Sequence, residues 1–545
     1  MAVFSDTTPP RAPEGYGNLR GERGFVENAH VDLNKATQRR NLQHATTSIR
    51  AKRQNVVSEM GDWEELRAAG SALKESVMAN MPELLEQFEE AVTARGGVVH
   101  WARDAKEANE IITDLVRETG ETDVVKVKSM ATQETGLNEH LESAGIHAQE
   151  TDLAELIVQL GEDKPSHILV PAIHRNRAEI RDIFVDKMPD TDDSLEADPP
   201  ELAEASRKFL RQQFMKAKVA ISGANFGVAE NGVVNIVESE GNGRMCVTMP
   251  ETLITLMGIE KLVPTYQDLE VFLQLLPRSS TAERMNPYTS MWTGVTEGDG
   301  PQNFHIVLLD NGRTAAMSSE IGHQALKCIR CSACLNVCPV YERAGGHAYG
   351  STYPGPIGIS LTPQLTGMKD HKDPSASLPY ACSLCGRCDE VCPVKIPLSD
   401  VILENRYQKV THATPPVESK LMGLMRVAMG NSTLWNQLMR VVFMGRILGG
   451  FNQTIESLPL FMSGWSEGRD TAVPPKQTFR QWFESNEAKN LLAEARENGV
   501  PVQKKAGDAK LGDAEPDATA GQASTPGAGE SRKPGESTND SEEDN

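Results

Sequence analysis

The segment from Cys328 to Pro393 contains the same cysteine pattern twice. The first copy reads Cys328-Ile-Arg-Cys331-Ser-Ala-Cys334-Leu-Asn-Val-Cys338-Pro339, and the second reads Cys382-Ser-Leu-Cys385-Gly-Arg-Cys388-Asp-Glu-Val-Cys392-Pro393. Together they use all but one of the 9 cysteines in a chain of 545 residues. Three cysteines at spacings of two residues, followed by a fourth cysteine and a proline, are typical of runs that hold cubic iron-sulfur clusters.

The cluster ligands are predicted to cross between the two runs. In ferredoxins with two clusters, the first three cysteines of a run bind one cluster and the fourth binds the other. The sequence therefore predicts two [4Fe-4S] clusters. Cluster 1 is expected to bind Cys328, Cys331, Cys334 and Cys392, and cluster 2 is expected to bind Cys382, Cys385, Cys388 and Cys338.

Zinc and disulfides are the alternative uses of so many cysteines. A structural zinc site usually pairs two Cys-x2-Cys units across a longer gap, whereas here three cysteines stand in tandem. Disulfides need an oxidising compartment. Residues Met1–Gly17 lack the apolar core of a secretion signal. Both alternatives are therefore disfavoured.

The composition is that of an acidic protein without membrane spans. The net charge of -21 argues against nucleic acid or an anionic lipid surface as a partner, because both require clustered Lys and Arg. No apolar run is long enough to span a bilayer. We expect a cytoplasmic protein without a transmembrane segment.

Changes in composition and hydrophobic periodicity along the chain predict six regions. Together they indicate a multidomain protein of the α/β plus α class. They are a flexible leader (1–30), a helical N-terminal arm (31–95), an α/β domain (96–310), a mainly helical double-cluster module (321–403), a helical C-terminal region (415–500) and a disordered acidic tail (504–545). The C-terminal region is rich in methionine at helical spacing, which suits core packing, a partner-binding face or peripheral contact with a membrane surface.

In the α/β domain, short apolar runs alternate with helical patterns, which predicts a parallel sheet covered by helices. Helices are predicted at Ala105–Arg117 and Thr132–Ala144. The candidate strands are Gly97–Trp101, Asp123–Lys128, His167–Ile173, Val219–Ser222, Val233–Val237, Cys246–Met249 and His305–Leu309.

Ligands of such sheets bind beyond the carboxyl ends of the strands, and three side chains there are candidates for a substrate pocket. Lys128 ends a predicted strand and precedes a helix, so it suits a carboxylate or phosphate. His174 follows another predicted strand and is a candidate acid or base. Arg244 follows a glycine-rich turn and offers a cation. The simpler interpretations are an exposed strand end for Lys128, a structural histidine for His174 and ordinary turns around Arg244.

The usual nucleotide-binding loops are absent, since neither GxGxxG nor GxxxxGK occurs. Cys246, outside the two runs, is expected to be a small buried apolar residue. Arg330 and Arg387 lie inside the cysteine runs, where positive charge raises a cluster's reduction potential.

The order of these motifs resembles the iron-sulfur B subunit of the bacterial lactate-utilisation system over about residues 35 to 490. The resemblance rests on the double cysteine run and the following segments: Val-Lys128-Ser-Met-Ala, Glu150-Thr-Asp152-Leu-Ala-Glu155, Pro-Ala-Ile-His174, Gly-Ala-Asn-Phe, Glu-Gly-Asn-Gly-Arg244 and Tyr353-Pro-Gly-Pro-Ile-Gly. It implies an α/β domain related to sugar-phosphate isomerases and coenzyme A transferases.

The resemblance also implies a function. The chain would be a subunit of an L-lactate dehydrogenase complex, with a cysteine-rich and an α/β companion subunit, that oxidises L-lactate to pyruvate. It implies no catalytic residue. A cluster passes one electron at a time, whereas lactate oxidation removes two, so we expect this chain to conduct electrons. The alternatives are an electron-transfer subunit for another 2-hydroxyacid such as glycolate, and an iron-sulfur sensor or scaffold without turnover.

Overall fold

The structure is a computed structural model that describes residues 19, 21–319, 321–368, 370–412, 416–449, 454–458, 463–466 and 470–498. The expected acidic tail lies outside these residues, as does most of the expected leader. The chain divides into a first unit that ends at Lys420 and a second that begins at Leu421.

The predicted arm is helical. Its helices are α1 (Phe25–Asp32), α2 (Ala36–Ser58), α3 (Trp63–Ala79) and α4 (Met81–Thr93). Helix α1 begins inside the expected leader, so an ordered segment starts earlier than predicted. The apolar side of α4 is buried at Leu84, Leu85 and Phe88, and this repeat of three to four residues is the pattern of an amphipathic helix.

The α/β domain is built around a six-stranded sheet, all of whose pairings are parallel, in the order β1-β10-β7-β4-β2-β3. These strands are β1 (Val98–Ala102), β2 (Asp123–Lys126), β3 (His147–Glu150), β4 (Val219–Gly223), β7 (Thr252–Gly258) and β10 (Asn303–Leu309). The remaining strands, β5 (Phe226–Val228), β6 (Val233–Glu238), β8 (Leu262–Val263) and β9 (Tyr288–Trp292), form a mixed sheet in the order β8-β5-β6-β9.

Helices cover both faces of the parallel sheet. They are α5 (Ala105–Thr119), α6 (Met130–Thr135), α7 (Leu137–Ser143), α8 (Leu153–Leu160), α9 (Arg177–Lys187), α10 (Pro199–Lys216), α11 (Asn242–Thr248) and α12 (Tyr266–Ser280), with a 3-10 turn at Ile259–Lys261. Along β10, Ile306 and Leu308 belong to one core and Val307 to the other, which is the two-residue alternation of a strand buried on both faces.

Several predictions about this domain were wrong. Residues His167–Ile173 form a bend followed by a turn and no strand, and Pro171 lacks the N–H that a strand ladder needs. The segment Cys246–Met249 falls largely within α11, whose first turn is held by Glu238: its carboxylate accepts N–H bonds from Gly241, Gly243 and Arg244. The predicted helix Thr132–Ala144 is two helices, and β6 belongs to the mixed sheet. Strands β3 and β7 of the parallel sheet were missed, as were β5, β8 and β9 of the mixed sheet.

The cluster module is helical, as predicted. Two short helices, α13 (Arg313–Met317) and α14 (Gly322–Leu326), precede the first cysteine run. They are followed by α15 (Ala333–Val337), α16 (Pro339–Ala344), α17 (Gly355–Thr366), α18 (Arg387–Val391) and α19 (Leu398–His412). Two 3-10 helices lie at His347–Tyr349 and Pro374–Tyr380. Its buried residues, including Cys331 and Cys392, share one core with α4, α12 and one face of the parallel sheet. The module and the α/β domain are therefore packed together.

The second unit is mainly helical among its described residues. Helix α20 (Pro416–Gly430) crosses the division between the units. It is followed by α21 (Ser432–Val441), a 3-10 helix (Val442–Gly449), α22 (Ser463–Ser466), α23 (Phe479–Phe483) and α24 (Asn486–Glu497). Strands β11 (Thr454–Ile455) and β12 (Thr471–Ala472) pair antiparallel.

Candidate metal centres and the adjoining cavity

The four cysteines predicted for cluster 1 surround one small cavity. Cys328, Cys331 and Cys334 come from the first run and Cys392 from the end of the second. The rest of its lining is mostly apolar, with Ile357 among the residues that close it. The fold thus brings together three cysteines of the first run and one of the second.

The cysteines predicted for cluster 2 also lie near one another. Burial, and then the neighbouring Cys382 and Cys385, raise the pKa of the Cys338 thiol to about 11. Burial also raises the pKa of the Cys388 thiol, with contributions from Asp389, Cys382 and Cys338. These electrostatic contributions are consistent with the predicted grouping of Cys338 with the three cysteines of the second run.

These cysteines fit iron-sulfur clusters better than disulfides or zinc. All are free thiols. Among the described residues, no three cysteine sulfurs lie within 4.8 Å of one another, whereas tetrahedral zinc with Zn–S bonds of about 2.3 Å would draw its ligands closer than about 4 Å. Burial, and then the neighbouring Cys328 and Cys392, raise the pKa of Cys331 to about 12. Such thiols ionise only beside compensating positive charge, which cluster iron supplies.

The backbone of both runs is shaped around the sulfurs. Arg330, Ser332, Leu384 and Lys395 adopt left-handed conformations with φ of 61°, 59°, 54° and 48°, which non-glycine residues seldom adopt. These bends turn backbone N–H groups toward sulfur: Arg330 donates to Cys328 Sγ (3.3 Å) and Leu384 to Cys382 Sγ (3.2 Å). Such bonds stabilise the negative charge of a ligated thiolate.

The two groups of cysteines differ in their surroundings. The arm covers the first group, where Arg67 donates from Nε and Nη2 to the Cys392 carbonyl oxygen at 2.9 and 2.7 Å. Arg53 donates from Nη2 to the Val391 carbonyl oxygen at 2.9 Å. In the second group Cys385 is exposed. Cluster 1 would therefore be shielded and surrounded by cations, whereas cluster 2 would reach the surface.

A cavity of about 320 Å³ lies at the carboxyl ends of the parallel strands. Residues that follow β2, β3, β4 and β7 line it, including Lys128, Asp152 and Lys261. This is where α/β sheets bind ligands. Arg330 and Tyr353 of the cluster module complete the wall, so the cavity adjoins the ligand loop of cluster 1.

A buried network of charges joins the cavity to the cluster module. Arg313 is paired with Glu134 (2.9 Å) and with Glu260. Glu260 also pairs with Arg330 at 3.2 Å. Tyr353 donates to Glu134 Oε2 at 2.6 Å, and the Arg330 guanidinium lies 4.6 Å from the centre of its ring. Two carboxylates and two guanidinium groups balance one another, as buried charges must.

Lys261 is the least satisfied cation of this cavity. It forms no hydrogen bond or ion pair with another residue that the structure describes. Burial, and then the adjacent Arg330, lower the pKa of its ammonium group to about 8. Lys128, by contrast, donates to the Leu169 carbonyl oxygen and lies 3.9 Å from Asp152. A carboxylate ligand could form a charge-assisted hydrogen bond with the ammonium group of Lys261.

The three residues predicted for the substrate pocket lie apart. Lys128 lines the cavity, as do Lys261 and Arg330. His174 lies outside the lining, with its Nε2 2.8 Å from Asp163 Oδ2. Arg244 is exposed and stacks over the Tyr288 ring at 5.9 Å.

Sequence reasoning missed Lys261. Its signal was the position of Gly258-Ile-Glu260-Lys261 directly after the apolar run of β7, a strand that the prediction omitted.

Two family descriptions match the chain. The LUD domain matches residues 85–309, and the 4Fe-4S dicluster domain matches residues 324–396. The second range contains both cysteine runs. Among the described residues, no helix combines the length and apolar character that crossing a membrane requires.

Curated relatives match the chain along most of its length. Lactate utilization protein B of Oceanobacillus iheyensis is 42% identical over 85% of this chain and 96% of its own. The protein of that name from Bacillus subtilis is 38% identical over 87% and 98%. The uncharacterized electron transport protein YkgF of Escherichia coli is 41% identical over 83% and 94%.

One solved structure, of a DUF162 family protein from Deinococcus radiodurans, covers 42% of this chain and 98% of its own. Its TM-score of 0.24 and sequence identity of 13% are too low to support an argument about the fold. The relatives, however, are 38–42% identical to this chain and are matched over 94–98% of their own length. The chain therefore belongs to the lactate utilization protein B family.

Proposed function

We propose that this chain is the iron-sulfur electron-transfer subunit of a complex that oxidises L-lactate to pyruvate. Two [4Fe-4S] clusters, bound by the two crossed sets of cysteines, would carry the electrons. The names of the relatives support a role in lactate utilisation and electron transport. The single observation that carries the proposal is the position of Arg330, which lines the cavity and lies between two ligands of cluster 1.

The cavity is the proposed binding site of the 2-hydroxyacid. Its carboxylate would bind the Lys261 ammonium group, with Lys128 and Arg330 contributing further positive charge. Glu260 and Asp152 lie beside neighbouring cations, whereas Glu238 and Glu240, which also line the cavity, accept backbone N–H bonds. Lys261 is the lining cation that the proposal assigns to an incoming carboxylate. Among the residues suggested by sequence, Lys128 keeps this role in the proposal.

The electrons would leave through cluster 1 and then cluster 2. Cluster 1 adjoins the cavity through Arg330, and cluster 2 reaches the surface at Cys385. A companion subunit that contacts Cys385 would receive the electrons one at a time. Lactate releases two electrons and two protons, so the complex also needs a two-electron acceptor of the flavin type, held in this cavity or by a companion subunit.

Anaerobic EPR spectroscopy tests the proposal. The chain, alone and with its two companion subunits, is measured before and after addition of L-lactate, with glycolate and other 2-hydroxyacids as comparisons. We expect reduced [4Fe-4S] signals with lactate in the complex. Reduction by another hydroxyacid alone would change the substrate, and clusters that stay oxidised under every condition would favour a sensor or scaffold.

A further inference from the structure

Three side chains with metal-binding chemistry meet where the α/β domain contacts the cluster module. Asp163 and His174 belong to the 161–176 loop, which joins α8 to α9, and His347 belongs to a 3-10 helix between the two cysteine runs. One ligand atom from each of the three lies within 4.8 Å of the other two. The sequence hides this group, because His347 is distant from the loop along the chain.

The geometry brings two imidazoles to one carboxylate. His174 Nε2 lies 2.8 Å from Asp163 Oδ2, and His347 Nε2 lies 4.0 Å from Asp163 Oδ1. The two imidazole rings meet edge to face with their centres 4.7 Å apart. Two histidines and one carboxylate are a ligand set of zinc and other first-row divalent metals.

The other contacts of the group show what an ion would have to replace. Arg175 donates to Asp163 Oδ2 at 2.6 Å, and Oδ1 accepts the backbone N–H of Lys164 at 2.8 Å. His347 Nε2 lies 2.6 Å from the Lys164 carbonyl oxygen. An ion bound at His347 Nε2 would replace that hydrogen bond.

A buried nitrogen of His174 supplies a second, independent indication. Its side chain is 6% exposed, and Nδ1 has no hydrogen-bond partner among the described residues. An unsatisfied buried polar atom costs about 1–3 kcal/mol. An ion bound at this nitrogen would remove that cost.

We propose that Asp163, His174 and His347 bind one divalent metal ion, with zinc as the expected ion and water as a further ligand. The ion would fasten the 161–176 loop to the cluster module. The same loop lines the cavity at Ile168, Leu169 and Val170, so the site would also fix the cavity wall. It involves none of the cluster cysteines.

Other contacts show that the two segments are built to meet. Tyr341 donates from its hydroxyl to the Ser166 carbonyl oxygen at 2.8 Å, and Gly346 donates its N–H to Ser166 Oγ at 3.1 Å. A Cβ atom at Gly346 would lie only 1.8 Å from the Ser166 carbonyl oxygen, so this close approach requires glycine.

The test measures zinc binding by the full-length chain, purified anaerobically with its clusters assembled. Zinc content, zinc affinity and the zinc-edge X-ray absorption spectrum are compared for the wild type, His347→Ala, His347→Gln and Asp163→Asn. His323→Ala is the matched control, since its side chain is 20% exposed, against 19% for His347, and it pairs with Glu75 elsewhere. Iron content and visible absorbance establish that each variant retains its clusters.

We expect one zinc ion per wild-type chain with nitrogen and oxygen ligands only. His347→Ala, His347→Gln and Asp163→Asn should weaken binding by at least about tenfold, and His323→Ala should bind as the wild type does. Absence of zinc binding in the wild type, sulfur in the spectrum, or equal affinity in the His347 variants would overturn the proposal. The group would then be an ion pair of Asp163 with histidine and arginine only.

Discussion

The side chain of Lys261 has no hydrogen-bond or ion-pair partner among the described residues, and its ammonium group has a lowered pKa. It adjoins the fully buried Glu260, yet the two guanidinium groups of Arg313 and Arg330 already satisfy that carboxylate. In the proposed function, the ammonium group of Lys261 therefore pairs with the carboxylate of the substrate. Its lowered pKa makes this interaction depend on pH within the range where enzymes are assayed.

The pH dependence of Lys261 gives the first prediction. With a pKa of about 8, the ammonium group is charged below pH 8 and becomes neutral above it. For lactate oxidation by the reconstituted complex, we expect kcat/KM to fall by about tenfold per pH unit above that value. Lys261→Arg should abolish this fall, because guanidinium stays protonated. Lys218→Arg, an exposed control paired with Glu121, should keep it, and an identical profile in all three proteins would contradict the assignment.

His167 supports the second prediction, which concerns stability. Its Nδ1 accepts N–H bonds from Leu169 and Val170, both at 3.0 Å. Burial lowers its pKa to about 3. Below about pH 6.5 the unfolded chain therefore binds a proton that the folded chain does not, and stability falls by up to about 1.4 kcal/mol per pH unit.

Melting temperatures measured anaerobically between about pH 7.5 and 5.5 test this prediction. The fall on acidification should be shallower in His167→Gln than in the wild type. His323→Gln, which changes a partly exposed histidine, should leave the slope unchanged. A slope in His167→Gln as steep as that of the wild type would assign the acid sensitivity to other groups.

At the scale of the element, the left-handed residues of the cysteine runs provide a third prediction. Leu384 is 40% exposed and has a φ of 54°. Its backbone conformation allows its N–H to donate to Cys382 Sγ, whereas its side chain contributes little to packing. Leu384→Gly should keep both clusters and gain up to about 1–2 kcal/mol from relief of backbone strain. Leu384→Val should lose iron from cluster 2, because a β-branched residue resists this conformation.

Iron per chain and the EPR signals of the reduced variants provide the measurement. Leu403→Val serves as the control, because Leu403 is 48% exposed and lies on the regular helix α19. Full iron content in Leu384→Val would mean that a β-branched residue can adopt the left-handed conformation at position 384 and that cluster 2 still assembles.

The strands show why prediction from sequence succeeded only in part. β1, β2, β4 and β10 carry the apolar, β-branched residues that identify strands. β3 reads His-Ala-Gln-Glu, a polar sequence without β-branched residues, and its Glu150 is buried in an ion pair with Lys126 of β2 at 2.6 Å. Likewise, Cys246-Val-Thr-Met resembles a strand until the helix-starting bonds of Glu238 are known.

The same limit applies to the sites. The spacing of the cysteines predicted two crossed ligand sets; Cys328, Cys331, Cys334 and Cys392 line one cavity, and the assignment of ligands to clusters stays a prediction. The cavity depends on contacts between distant segments, such as Glu260 with Arg330, that no local pattern encodes. Of the three suggested pocket residues, Lys128 lines the cavity, whereas His174 and Arg244 do not.

At the scale of the whole molecule, the cavity and the two groups of cysteines suggest an order of electron transfer. The cavity adjoins the first group of cysteines through Arg330, and the second group includes the exposed Cys385. Arg53 and Arg67 provide positive charge near the first group, and such charge favours the reduced state of a cluster.

This order gives the fourth prediction. In Cys385→Ala, which disrupts cluster 2, lactate should still reduce cluster 1 in the complex, but electrons should no longer reach the final acceptor. In Cys331→Ala, which disrupts cluster 1, cluster 2 should stay oxidised. EPR spectra after addition of lactate, together with acceptor reduction, distinguish the two variants. Reduction of cluster 2 in Cys331→Ala would reverse the order or require a second entry point.

The buried network of Glu134, Glu260, Arg313 and Arg330 has a consequence for protein engineering. A chimera that packs a foreign ferredoxin against this α/β domain would keep Glu134 and Glu260 buried but lack the contacts of Arg330 and Tyr353, and breaking a buried ion pair in this way costs about 3–5 kcal/mol. A graft that carries an arginine between its first two cysteines, and an aromatic hydroxyl at the position of Tyr353, would restore both contacts.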